Sequence, residues 1–385
     1  MSNRKFCNPI SEFQPARFEQ ARISRGFNKT ELAKVLGVSQ QMVSKYESGK
    51  SIPSEPVFRL LTEELHFPLG FFFKPIIENT RNKTIFWRKQ SAATLKQKDA
   101  RAVRNEWVEE IIDYLAKIVR FPDANLPNIS KKPKGVSWTP EEIEQLALKV
   151  RQHWGLGLGP ISNIVMLLEK NGIIVCFQKT NFNTIDGYSY KDKLPLVFLV
   201  SNSKSAVRSR FSAAHELGHL IMHSGIYEND DLIFNSIYNQ VEAEANHFAS
   251  AFLMPIDSFG QEVYSSSLSH LKLLKSRWLV SMQAMITRCG DLEILTEHQV
   301  LYLRKQISKF KIRIHEPLDD EIPMEEPVLL KQAIEMLIEH KVKTPSMIIN
   351  ELNLPTEDIE EICNLDNNRL SSQDNIVYVN FRSKN

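Results

Sequence analysis

At 385 residues the chain is longer than one hydrophobic core usually serves, so two or three domains are expected; 42% hydrophobic and 24% charged residues is an ordinary globular composition. No apolar run approaches the roughly 18 residues that span a bilayer, since the most apolar stretch, Leu194 to Val200, is strand-sized and interrupted by Pro195. Cys7, Cys176, Cys289 and Cys363 lie far apart with no CxxC pair, which argues against both a disulfide framework and a cysteine zinc site.

The net charge of +2 hides an asymmetry. Residues 1–60 hold ten Lys/Arg against five Glu, and Arg81 to Arg104 is again basic with Asp99 as its one acid. Acidic clusters lie at the other end, from Glu316 to Glu326 and from Glu357 to Glu361. A basic front suggests a polyanionic partner there. The opening "MSNRKFCNPISEFQ" lacks the apolar core of a signal peptide, so a cytoplasmic location is expected.

Residues 15 to 65 read as four or five short helices. In "TELAKVLG" Leu32, Ala33, Val35 and Leu36 share one face, and Gly37 ends the helix where a left-handed residue is cheap. Ser39 is placed to cap the next helix, which turns Met42, Val43 and Tyr46 inward. Its outward residues, Gln40, Gln41, Ser44 and Lys45, make a groove-reading face of a helix-turn-helix, with Lys50 just beyond. Glutamine pairs bidentately with adenine, while lysine reaches guanine or phosphate.

From Pro75 to about Trp138 the chain is basic, then helical over Asn105 to Val119, then proline-rich, and reads as a linker region over 75–138. The expected first domain is therefore 1–74. A second compact region follows, with helices over Pro140 to His153 and Ile161 to Lys170 and a strand over Ile173 to Phe177. A hairpin at "IDGYSY" and a strand over Leu196 to Val200 come next, then helical spacing over 205–223 and 240–253. That is a small sheet with helices. Beyond Pro255 the pattern is mostly helical, with "NIVYVNF" as a late strand. The fold class is thus multidomain and mainly α, with an α+β centre.

Chemistry concentrates in "RFSAAHELGHLIMH", Arg210 to His223. His215 and His219 are four apart, so on a helix both imidazoles project from one face and can bind a single metal. Glu216 suits the general base of an HExxH site, which takes a proton from the attacking water and hands one to the leaving amine. Apolar neighbours bury this helix, and two histidines and a glutamate are costly there unless something pairs them. A metzincin pattern would place its third histidine six residues after the second, where Gly225 stands; His223 comes too early. The third ligand is instead expected from "QVEAEANHFASAFLMP", Gln240 to Pro255. Glu242 is chosen because Asn246, four further on, can orient a ligand histidine through its second ring nitrogen; Glu244 is the outward-facing, solvated alternative. His223 reads as a residue behind the ligands or as an oxyanion stabiliser, with Tyr188 and Tyr190 as weaker oxyanion candidates.

With these residues in place the chain resembles the ImmA/IrrE family of zinc metallopeptidases joined to an XRE-type (Cro/CI-like) helix-turn-helix. The resemblance rests on "WGLGLGPISNIVMLLEKNGIIV", "IDGYS", "RFSAAHELGHLIMH" and "EAEANHFASAFLMP", continues weakly into "WLVSMQAMITR" and "HEP", and includes "TELAKVLGVSQQMVSKYESGKSIPS" for the front module. It implies a minimal thermolysin-like (gluzincin) domain over 139–317, Zn2+ held by His215, His219 and Glu242, and Glu216 as base. It further implies cleavage of a regulatory protein, typically a repressor. Residues 318–385 fall outside the resemblance. Their "HKVKTPSMIINELNLPTEDIEEI" has helix-turn-helix spacing, but its acidity favours packing or protein contact over DNA.

The expected function is a DNA-binding zinc endopeptidase, possible as a homodimer on a two-fold operator in double-stranded DNA, which inactivates a partner repressor or antitoxin. The alternative is a transcriptional regulator or toxin–antitoxin component whose zinc-peptidase fold is structural or sensory.

Overall fold

The structure is a computed structural model that describes residues 13–76, 95–130, 132–133, 136–178, 187–191, 194–200, 205–223 and 231–371. The expected late strand, Cys7 and the start of the expected hairpin lie outside the described residues. The chain divides into two compact units: Met1–Asn82 with Ala93–Arg120 and Leu330–Asn385, and Lys83–Ala92 with Phe121–Leu329.

The first unit begins with α1 (Pro15–Ser24), α2 (Lys29–Val35), α3 (Gln40–Glu47), α4 (Glu55–Glu64), a 3-10 turn (Leu69–Phe73) and α5 (Leu95–Leu115). Local sequence explains the short helices. Asn28 and Glu31 form a reciprocal cap at the start of α2, Ser39 accepts the amide hydrogen of Met42 at the start of α3, and Gly37 between them takes φ of 65°. Phe18, Ala21, Leu32, Val43 and Leu61 close the core beneath them. The buried Arg17 ties α1 to α5, donating to Glu110 at 2.6 Å and to the carbonyls of Lys74 and Pro75.

The second unit holds α6 (Pro140–His153), α7 (Ile164–Lys170), β1 (Ile174–Gln178), β2 (Gly187–Lys191), β3 (Pro195–Val200), α8 (Ala206–Met222), α9 (Asp231–Leu253), α10 (Ile256–Glu262), α11 (Leu268–Trp278), α12 (Met282–Asp291) and α13 (Glu297–Lys309). The sheet order is β1-β3-β2: β1 runs parallel to β3, and β2 is an antiparallel edge strand with Ser189 opposite Val197. One core joins α6 and α7 to the sheet, α8, α9 and the later helices through residues such as Leu168, Val197, Leu217, Phe248, Phe252 and Met285.

The buried cations Arg210 and Lys275 help pin this unit. Arg210 of α8 donates to the carbonyls of Ile161, Ser162 and Leu279 and pairs with Glu325, whose second oxygen accepts the Ile164 and Val165 amide hydrogens. That carboxylate and the Asn163 cap start α7 at Ile164, three residues later than its apolar pattern suggests. Lys275 of α11 donates to Glu316 and Asp319, and Glu316 accepts the first amides of α12. The "HEP" segment is therefore a structural staple.

The chain then returns to the first unit as α14 (Leu329–Glu339), α15 (Pro345–Leu352) and α16 (Thr356–Ile362). Three of the four acids of α16 are consumed by packing: Asp358 meets Arg25 at 2.9 Å, Glu361 meets Arg104 at 2.9 Å, and Glu360 accepts the Asn368 and Leu370 amides.

Candidate metal centre and nucleic-acid interface

The metal centre grows from a buried helix. From Ala213 to Met222 every residue of α8 is buried, and α9 crosses it closely because Gly218 has no side chain. A Cβ there would meet Phe248 Cδ1 at 3.1 Å. This approach lets Glu242 of α9 reach the two histidines of α8. The Nε2 atoms of His215 and His219 are 2.9 Å apart, with the Glu242 carboxylate 3.6 Å from the first and 3.4 Å from the second. All three ligand atoms fall within 4.8 Å of one another. Zn–N and Zn–O bonds of about 2 Å in a tetrahedron separate donors by about 3.3 Å, so the set fits one zinc ion; the histidine pair alone is a little closer, at hydrogen-bond distance.

Each histidine is backed by a partner on its other nitrogen. His215 Nδ1 donates to the Asn246 side-chain oxygen at 3.0 Å, which leaves its Nε2 lone pair toward the ligand cluster. Behind His219 stands a longer chain: its Nδ1 lies 2.9 Å from His223 Nδ1, and His223 Nε2 lies 2.9 Å from Glu244 Oε2. If His219 Nε2 turns its lone pair toward the ligand cluster, the proton order is His219 donating to His223 and His223 donating to Glu244.

Glu244 corrects an expectation. It is 7% exposed rather than solvated, because α9 packs on both α6 and α8 and so has little free face. Its other oxygen accepts the Trp138 amide hydrogen at 3.0 Å and Gln240 Nε2 at 2.9 Å. Burial alone would raise its pKa, but the hydrogen bonds from His223, Gln240 and Trp138 outweigh this and hold it below the usual carboxylate value. Both nitrogens of His223 are engaged in this chain, so neither is spare to meet an oxyanion.

Glu216, the expected base, is buried against the edge strand. Ser189 Oγ of β2 donates to its carboxylate at 2.8 Å. The strand comes this close because residue 187 is glycine: a Cβ there would lie 2.9 Å from the Phe198 carbonyl oxygen and 3.2 Å from Glu216 Oε1. Strand alternation puts Tyr188 on the opposite face, where it stacks on Phe198 at 4.6 Å. It is not beside the base, as an oxyanion role would need; the Tyr190 side chain lies outside the described residues. Spacing did not reveal Gly187 or Ser189, although both stand inside the "IDGYS" stretch quoted for the resemblance.

In the first unit Gln40, Gln41, Lys45 and Lys50 are exposed along and just beyond α3, Ser44 is half-buried, and Val43 and Tyr46 are buried beneath. The outward row forms a polar, cationic face on the second helix of the α2–α3 pair, suited to a DNA groove.

Residues 168–289 match the model of the peptidase M78 family, described as an IrrE N-terminal-like domain, and residues 18–72 match that of a helix-turn-helix. The chain carries an IrrE-like domain behind an XRE-type helix-turn-helix. The IrrE-like match spans α7 to α12 and includes every residue of the candidate centre. No curated protein matches the chain. A solved structure described as a Mycobacterium tuberculosis transcriptional regulator is similar at 16% identity, with a TM-score of 0.30, over 49% of this chain and 51% of that one. The match thus takes in about half of that protein's length. Among the described residues no helix is long and apolar enough to cross a membrane.

Proposed function

We propose that the IrrE-like chain is a DNA-binding, zinc-dependent endopeptidase that cleaves a partner regulatory protein, a repressor or antitoxin, and thereby controls transcription. The observation that carries this reading is the convergence of His215, His219 and Glu242 beside a glutamate, Glu216, that is held by Ser189. A zinc ion held by His215, His219 and Glu242 would supply Lewis acidity, depressing the pKa of a water to about 7 and polarising a carbonyl. The protein's own residues do the rest. Asn246 and the His223–Glu244 pair keep the two imidazoles in the tautomer that presents Nε2. Glu216 accepts the proton of the attacking water and returns it to the leaving amine, and Ser189 fixes the rotamer in which it does so.

Three protein ligands leave a coordination position open, whereas a purely structural zinc is usually closed by four. That difference favours turnover. The helix-turn-helix supports a role at DNA, where a dimer on a two-fold site would supply the contacts that one short recognition helix lacks.

The test is incubation of the zinc-loaded protein with regulators encoded beside it. Cleavage is expected with wild type and loss of at least about 1,000-fold with Glu216→Gln. The second reading, a regulator whose zinc fold is sensory, is favoured by the exposed α3 face. It predicts that no regulator is cut and that repression survives Glu216→Gln but fails in the Gln41→Ala, Lys45→Ala double variant.

A further inference from the structure

Downstream of the IrrE-like match, α13 and the turn after it expose a surface that neither the metal centre nor the helix-turn-helix uses. Between Glu297 and Glu316 there is no acidic residue. Arg304, Lys305, Lys309, Lys311 and Arg313 are all exposed there, and none forms an ion pair with a described residue. Large apolar side chains are interleaved with them: Leu301 is 51% exposed, Tyr302 60%, Phe310 58% and Ile314 73%. The helix itself is anchored on its other side by Leu303 and Ile307, both buried.

Helical spacing orders the outward side. His298, Tyr302, Lys305 and Lys309 follow one another by four, three and four residues and form one stripe, with Leu301 three beyond His298 and four before Lys305 at its edge. Apolar residues in the middle of a helix face with lysines beside them are the pattern of a surface that receives a second helix. A duplex phosphate backbone would use the cations but would leave two aromatic rings and two aliphatic side chains in water, so nucleic acid fits only half of the surface. Aromatic residues with arginine are the composition of protein interface centres.

We propose that this α13 surface docks an acidic amphipathic helix of a protein partner, its apolar side against Leu301, Tyr302 and Phe310 and its carboxylates against the surrounding lysines and arginines. The site is separate from the metal centre and does not depend on the peptidase reading.

The probe is a fluorescein-labelled peptide of three heptads with Leu at a and d and Glu at e and g, read by fluorescence anisotropy against the full chain. A sister peptide with Lys at e and g, and a fluorescein-labelled duplex and single-stranded oligonucleotide of the same net charge, are the comparison arms. The acidic peptide should bind, and Tyr302→Ala with Phe310→Ala should weaken it at least about tenfold. Lys305→Glu with Lys309→Glu should weaken it similarly and make the lysine peptide the preferred ligand. These side chains are exposed, and unchanged thermal melting checks that the variants fold. Equal binding of both peptides, insensitivity to both double variants, or tighter oligonucleotide binding through the same residues would overturn the proposal. Because binding rather than cleavage is read, failure here leaves the proposed peptidase chemistry untouched.

Discussion

The two histidines of the candidate centre are backed unequally. His215 rests on one amide oxygen, whereas His219 rests on a second histidine and, through it, on a buried carboxylate with two further donors of its own. Substituting His223→Ala, or Glu244→Gln, leaves all three ligands in place but removes the group that orients His219. Loss of such outer partners typically weakens metal affinity 10–100-fold. We expect that size of change in competition against a zinc-chelating dye, with Asn246→Ala a comparable loss through His215. An affinity unchanged in all three would show that the ligands hold their orientation unaided. At this scale HExxH was legible because four residues make one helical turn, and Asn246 because it stands four beyond Glu242. The burial of Glu244 was not, since a residue two along from a ligand is inward only when a third helix, here α6, covers that side.

Glycine sets the approach of the elements. Gly218, inside the HExxH run, leaves room on α8 for Phe248 of α9, and the obstacle to a larger residue is that fully buried ring. A Gly218→Ala chain must move that ring or part the helices. Overpacking of this kind costs about 1–3 kcal/mol. The expected outcome is a lower melting temperature together with weaker zinc binding, because the displacement carries Glu242 away from His215 and His219. Unaltered zinc affinity would mean that the ring yields instead of the helix.

A second element-scale prediction concerns pH. Glu144 of α6 receives two bonds from the buried Arg288 of α12 and one from His247 of α9. Burial works to raise its pKa, but these partners prevail and bring it to about 2 from an ordinary 4.5. A folded value below the unfolded one means that the stabilisation is present above pH 4.5 and is lost as pH falls toward about 2. Its upper bound is about 3 kcal/mol. Glu144→Gln should therefore flatten the acid limb of stability across that window in chemical denaturation. A limb as steep as wild type would assign the acid loss to other carboxylates.

For the whole molecule, periodicity and capping located most of the helices, from the α2–α3 pair to Pro140–His153, because those features are local. What local pattern could not show is the return of residues 330–371 to the first unit, which depends on pairs far apart in the chain such as Arg25 with Asp358 and Arg104 with Glu361. The acidity of "TEDIEEI" pointed to packing over DNA, but the cations that answer it lie more than 200 residues upstream. Likewise the edge strand beside Glu216 is specified by Gly187 and Ser189 only once β2 has paired with β3.

The proposed peptidase requires one zinc ion held by His215, His219 and Glu242. Metal analysis of the purified full-length chain by inductively coupled plasma mass spectrometry tests it most directly. About one zinc per chain is predicted for wild type and for Glu216→Gln, falling close to zero when His215 and His219 are both replaced by alanine in a chain that still folds. Zinc retained by that double variant, or a folded wild type that takes up none when zinc is supplied, would contradict it.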